Sequence, residues 1–188
     1  MIKKITYCAI YVALIMMMSL VPWLGYIKIG VIHISTIPFI VVVATLHMGF
    51  IGAFTAGLTF GIGSLIASIV FGEPTFIYPD LSVLPRILVG LLVYLFYKLL
   101  GKPNIYKAVV LGILCPVFNT LLVTVFLFIH HSVAPISWLT NLKAWIILIW
   151  LNFIVEVAFS AIVVGALWPA VKYFRNKELD LKEHKITW

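Results

Sequence analysis

Apolar segments about as long as a bilayer is thick follow one another along most of this chain. A transmembrane helix needs about 20 predominantly apolar residues, and segments 50–71 and 108–129 meet that requirement without a single charged residue. Only 10% of the chain is charged, whereas about 25% is usual in soluble proteins, so a water-facing shell cannot be built. These features exclude a soluble enzyme, a disordered tail and a secreted disulfide scaffold. They predict an all-α integral membrane protein.

The breaks between apolar segments predict a bundle of six transmembrane helices forming a single domain, residues 1–188. Pro22, the turn at Gly49 and the polar loop 72–82 are among these breaks. The connector 22–35 is rich in Ile and aromatic residues, so we expect it to pack on the protein. The expected helices are about 5–21, 36–48, 50–71, 83–98, 108–129 and 140–171, followed by a cytoplasmic tail, 172–188.

Basic residues indicate how the bundle is oriented, because cytoplasmic loops of membrane proteins are enriched in Lys and Arg. With the N-terminus in the cytoplasm, three basic residues (Lys28, Arg86 and Lys143) fall on or near the outer side. The other ten of the 13 then fall inside, which predicts that both termini are cytoplasmic. These ten are Lys3, Lys4, Lys98, Lys102, Lys107, Lys172, Arg175, Lys177, Lys182 and Lys185. The N-terminal stretch resembles a signal peptide but lacks a small-x-small cleavage site, so we expect a retained first helix.

Nucleic-acid, disulfide and metal sites are not expected. The net charge of +7 is spread over segment ends rather than gathered in one basic patch. Cys8 and Cys115 lie inside apolar runs, as small hydrophobic residues do. His130 and His131 are adjacent rather than four apart, which is a weak metal pattern, and no cofactor is expected.

Polar side chains at membrane depth are the candidate functional residues, because each is costly unless it is paired or faces water. Arg86 is expected in the fourth helix, and Asn119 with nearby Thr124 in the fifth. Asn152 and Glu156 lie one turn apart on one face of the sixth. A guanidinium can bind a carboxylate through two hydrogen bonds, and amides both donate and accept. Together these groups predict an interior cavity for a small, polar, anionic molecule.

Structural roles for the same residues remain open alternatives. Arg86 could reach the outer interface or pair with Glu156, and a single membrane Asn often only joins helices. The loops 22–35 and 72–82 are placed to cover the site from outside. His33 and Tyr78 in these loops are therefore further candidate contacts, although interfacial aromatics also serve as membrane anchors.

Enzymatic motifs are missing from the sequence, which has no phosphate-binding Gly-x-x-x-x-Gly-Lys-Ser/Thr, no His-Glu-x-x-His and no Gly-x-Ser-x-Gly. We therefore expect no enzymatic activity. Ala9 and Ala13 form a small-x-x-x-small pattern on the first helix. Such patterns allow close approach of another helix, within this chain or on a partner protein.

These features together resemble the substrate-binding S subunits of energy-coupling factor (ECF) vitamin transporters, and more specifically their pantothenate type. Size, six expected spans, the Ala9-x-x-x-Ala13 pattern and the apolar first loop agree. The matching stretches are 25–34, the Gly-rich run 49–64, Ser82-Val-Leu-Pro85-Arg86-Ile-Leu-Val-Gly90, Phe118-Asn119-Thr120 and Asn152-x-x-x-Glu156. The stretch from Pro85 to Gly90, taken with Asn119 and Asn152, is the more specific part.

The resemblance implies a protein of the bacterial cytoplasmic membrane that captures a vitamin outside and releases it inside. Its implied partners are a transmembrane T subunit, docked through Ala9 and Ala13, and two ATPase subunits that hydrolyse ATP. The implied ligand contacts are Arg86, Asn119, Asn152 and Glu156. Three alternatives remain: another vitamin such as folate or cobalamin, a self-sufficient proton-coupled carrier using Glu156, and a non-transporting scaffold subunit.

Overall fold

The computed structural model describes residues 2–21, 23–29, 32–136, 139 and 142–183, and this part contains six helices and one two-stranded antiparallel sheet. The helices are α1 (Ile2–Leu20), α2 (Pro38–Met48), α3 (Phe50–Phe71), α4 (Pro79–Leu99), α5 (Ile105–Val133) and α6 (Leu142–Glu183). The strands are β1 (Tyr26–Ile29) and β2 (Ile32–Ser35). The predicted helical architecture is confirmed.

Five of these helices are long and apolar enough to cross a membrane: α1, α3, α4, α5 and residues 149–176 of α6. Helix α2 has 11 residues and is therefore about 16 Å long, against about 30 Å for a bilayer core. The chain is a mostly helical, multi-pass membrane protein. The sixth crossing and the cytoplasmic position of both termini stay predictions.

Helix α2 lies at the centre of the bundle, packed against α3, α4, α5 and α6. It is apolar on all sides, as a fully surrounded helix must be, and most of its residues are buried. Pro38 begins the helix, where the missing N–H has no cost. Gly49 ends it with φ of +64°, a conformation that favours glycine, and turns the chain directly into α3.

Glycines allow α3 and α4 to pack backbone against backbone. A Cβ atom added at Gly90 would lie 2.4 Å from the carbonyl oxygen of Ala53, and one at Gly57 would lie 2.7 Å from that of Arg86. Neither distance is sterically tolerable, so the small residues of the Gly-rich run serve internal packing. This contact holds Arg86 at a fixed place in the bundle.

Helix ends differ from the sequence prediction where polar residues continue a helix. Helix α4 begins at Pro79 rather than 83, and α5 begins at Ile105 rather than 108 because the Asn104 side chain accepts a hydrogen bond from the Lys107 N–H at 2.9 Å. Helix α5 also runs to Val133 instead of 129. Helix α6 also continues past residue 171, where the sequence prediction ended the last membrane helix.

The segment predicted as a tail is helical as far as Glu183, because α6 continues unbroken past residue 171. Residues 184–188 lie outside the described part. The connector 22–35 contains the β1–β2 hairpin, which the sequence prediction lacked. Tyr26 pairs with Ser35 at its open end, and this end packs into the bundle as predicted, since Ile34 is buried.

Candidate functional site

A cavity of about 370 Å³ opens between the loop that follows α3 and the helices α4, α5 and α6. This volume is in the range of small-molecule sites. Its walls combine four deeply placed polar residues with apolar and aromatic side chains. The lining residues are Glu73, Pro74, Thr75, Phe76, Arg86, Asn119, Thr120, Val123, Trp145, Ile149, Asn152, Phe153 and Glu156.

The Arg86 side chain is held in place by a carbonyl group of its own helix that lacks a backbone hydrogen-bond donor. Pro85 has no N–H, so the carbonyl of Leu81, four residues earlier, lacks its usual helical donor. The Arg86 guanidinium donates a hydrogen bond to that carbonyl. The Pro-Arg pair therefore fixes the side chain beside the cavity and satisfies a backbone group inside the membrane.

Aromatic rings surround the same guanidinium. Its central carbon lies 4.6 Å from the ring centroid of Phe76 and 5.5 Å from that of Phe60, both within cation–π range. Arg86 is only 4% exposed, and its Nε–H has no hydrogen-bond partner among the described residues. A buried guanidinium with spare donors is suited to binding an anionic group.

Glu156 joins the hairpin to α6. Its Oε1 accepts a hydrogen bond from the Ser35 N–H at 2.6 Å, and the residue is 7% exposed. Arg86 lines the same cavity, but the described contacts include no hydrogen bond or ion pair between the two residues. The sequence alternative in which Arg86 and Glu156 merely neutralise each other by direct pairing therefore does not match this geometry.

The two asparagines lie on the remaining walls. Asn119 is 8% exposed on α5 and Asn152 is half-buried on α6. The Oδ1 atoms of both are buried without a hydrogen-bond partner among the residues that the structure describes. Native structures contain few such atoms, and a ligand group in the cavity could donate a hydrogen bond to either of them.

Thr124 and Tyr78, which the sequence also predicted as contacts, do not line this cavity. The Thr124 hydroxyl accepts a hydrogen bond at 2.9 Å from Nε1 of Trp145, a residue that lines the cavity. Tyr78 precedes α4, and its ring centroid is 4.4 Å from that of His130. His33 belongs to β2, but its side chain lies outside the described part of the chain.

His130 pairs with Asp80 rather than with its neighbour His131. Its Nδ1 lies 2.6 Å from the Asp80 carboxylate, which connects the end of α5 to the first turn of α4. His131 Nδ1 accepts from the Ile136 N–H at 3.0 Å. Among the described residues, no group of three or more His, Cys, Asp and Glu side chains could hold a metal ion.

Sequence reasoning missed several lining residues, and helical spacing could have found some of them. Trp145, Ile149, Asn152 and Glu156 follow one another at intervals of three and four, so they share one face of α6. Extending the Asn152–Glu156 face backward by two turns reaches Trp145. Glu73 carried no comparable signal, because it lies in a loop.

Ala9 and Ala13 lie on the side of α1 that faces away from the bundle, and both are exposed. The buried residues of α1 are Ile15, Met18 and Ser19. Of the two sequence interpretations, internal packing therefore does not explain the alanines. This face is available to lipid or to another protein.

Comparison with known proteins gives one informative match. A scan against protein-family models finds none that matches. The chain is 29% identical over 188 aligned residues to a protein named pantothenate transporter PanT from Leuconostoc mesenteroides, and the alignment covers 88% of this chain and 90% of that protein. The resemblance predicted from the sequence is confirmed: this multi-pass cell-membrane protein is similar, over most of its length, to a pantothenate transporter.

Proposed function

We propose that this chain is the substrate-binding subunit of an ECF-type importer and that its cargo is pantothenate. The observation that carries the proposal is the convergence of Arg86, Asn119, Asn152 and Glu156 on one cavity. Each is costly at membrane depth, and binding a polar solute would explain why all four face the same space. The name of the similar Leuconostoc protein supports pantothenate as that solute.

The groups of pantothenate complement the groups that line the cavity. Pantothenate has a carboxylate at one end, an amide in the middle and two hydroxyls towards the other end. Arg86 binds the carboxylate, while Asn119 and Asn152 exchange hydrogen bonds with the amide and hydroxyl groups. Glu156 accepts a hydrogen bond from a ligand hydroxyl. The apolar wall, including Trp145 and Phe153, packs against the methyl groups.

The proposed transport cycle assigns ATP hydrolysis to partner subunits. The chain crosses the membrane six times, with the short helix α2 as the second crossing, and both termini are cytoplasmic. It binds the vitamin at the outer face, docks through the exposed Ala9–Ala13 face on a transmembrane T subunit carrying two ATPases, and releases the vitamin inward. The chain itself is not an enzyme.

A proton-coupled carrier is the second candidate, because Glu156 is a buried carboxylate on the cavity wall. A carrier of that type would work alone, whereas an S subunit needs its partners and ATP. Folate and cobalamin remain alternative cargoes within the first proposal.

Uptake into liposomes separates these mechanisms. Protein reconstituted alone should accumulate no labelled pantothenate, with or without an inward proton gradient, and protein reconstituted with the T and ATPase subunits should accumulate it only when ATP is present. An ATPase-inactive partner complex is the control. Accumulation by the chain alone under a proton gradient would contradict the ECF proposal and support the carrier.

A further inference from the structure

A second, smaller cavity of about 130 Å³ adjoins the large one. The two share the walls formed by Glu73, Phe76, Arg86, Asn119 and Glu156. The small cavity has room for several water molecules or for one end of a ligand. The residues that line it alone come from the hairpin and α3, and they are Tyr26, Ser35, Ser64, Ala67, Ser68 and Phe71.

Four of the six residues that line only the small cavity carry a hydroxyl group. The residues that line only the large cavity include the amide of Asn152 and the aromatic rings of Trp145 and Phe153. Ser35 Oγ is buried without a hydrogen-bond partner among the described residues. The Tyr26 Oη atom is likewise buried without a hydrogen-bond partner in that part of the chain. Hydroxyls both donate and accept, so this lining can bind a neutral polar group.

The charged residues do not distinguish the two cavities, because Glu73, Arg86 and Glu156 line both. Ser35, which lines only the small cavity, holds Glu156 Oε1 at 2.6 Å and thereby places that carboxylate at its edge. A ligand hydroxyl in the small cavity could donate to that carboxylate, and the hydroxyl groups around it could donate to or accept from the same ligand group.

We propose that the small cavity is a subsite for the neutral, hydroxylated end of the cargo, with Ser64 and Tyr26 as specificity-determining residues. The carboxylate of the cargo then stays with Arg86 in the large cavity. This inference rests on the proposed function, since it assigns an orientation to the same ligand. It adds a requirement that Arg86 alone does not impose, namely a hydroxyl at the end far from the carboxylate.

A ligand-and-variant cycle tests this orientation. Calorimetry would measure the Kd of pantothenate and of an analogue with hydrogen in place of the terminal hydroxyl, for wild type, Ser64→Ala and Tyr26→Phe. Wild type should prefer pantothenate by about fivefold to tenfold, the effect of one or two hydrogen bonds. This preference should fall to about twofold or less in either variant.

Matched controls identify nonspecific effects. Thr59→Val removes another α3 hydroxyl, which bonds the Thr55 carbonyl at 2.7 Å, and Tyr97→Phe removes an α4 phenol; both should keep the wild-type preference. Because Ser64 and Tyr26 lie on different elements, a folding defect in one variant leaves the other informative. If both variants keep the preference, or weaken both ligands equally, the orientation is wrong. Wild type binding neither ligand would instead contradict the proposed function, and the inference with it.

Discussion

At the scale of single residues, the candidate site depends on polar groups whose surroundings are built into the backbone. Pro85 leaves the Leu81 carbonyl without its helical donor, and Arg86 supplies one. Glu156 accepts the Ser35 N–H. In both cases a side chain that lines the cavity also satisfies a backbone group, so binding and structure are linked at the same atoms.

Glu156 variants separate the two roles of this residue. Glu156→Gln keeps an oxygen for the Ser35 N–H, whereas Glu156→Ala removes it, and a hydrogen bond to a charged group contributes about 1.5–3 kcal/mol. Glu156→Ala should lower the free energy of unfolding by about that amount and speed hydrogen exchange in β2. Glu156→Gln should lose roughly half as much. Equal exchange rates in wild type and Glu156→Ala would show that the Ser35 contact does not hold the hairpin.

At the scale of elements, one surface of the bundle encloses the cavities and another, on α1, is exposed. The hairpin and the loop 73–76 contribute walls to the cavities that Arg86 also lines. Helix α1 packs mainly against α3 and leaves its alanine face exposed. Small side chains on an exposed face allow a partner helix to approach closely, which is why we assign docking to this face.

Bulky substitutions on α1 test that assignment. Ala9→Trp and Ala13→Trp should abolish co-purification with the T and ATPase subunits, because a large ring prevents close helix contact, while pantothenate affinity is unchanged. Leu14→Trp is the matched control, since Leu14 is also exposed on α1, at 37%, but lies roughly 100–140° around the helix from the alanines. Complex assembly that survives both alanine substitutions would place the docking surface elsewhere.

At the scale of the whole molecule, the sequence predicted the fold well because bilayer-length apolar runs leave few alternatives to helices. The bounds of α3 agree at both ends. The hairpin was missed, although Tyr26–Ile29 and Ile32–Ser35 are rich in β-branched residues that favour strands. Because these short segments lie between two predicted membrane helices, they were assigned to a connector rather than to strands.

The candidate site was predictable only in part. Arg86, Asn119, Asn152 and Glu156 were found because strongly polar side chains at membrane depth are rare. Thr124 is close to Asn119 in sequence, yet its side chain is hydrogen-bonded to Trp145 rather than lining the cavity. Ser64 gave no signal, since serine is ordinary in a membrane helix and only the three-dimensional packing shows the cavity beside it.

The central claim, that the large cavity binds pantothenate through Arg86, is tested most directly by equilibrium binding to the purified protein. Calorimetry should give a sub-micromolar Kd for pantothenate with wild type and no binding of folate or cobalamin. Arg175→Ala, about 28 Å along α6 from Glu156, should retain that affinity. Arg86→Ala should weaken it at least about 30-fold, because removing one partner of a buried charge pair costs about 2 kcal/mol or more. Unchanged affinity in Arg86→Ala, or tight binding of another vitamin instead, would contradict the account.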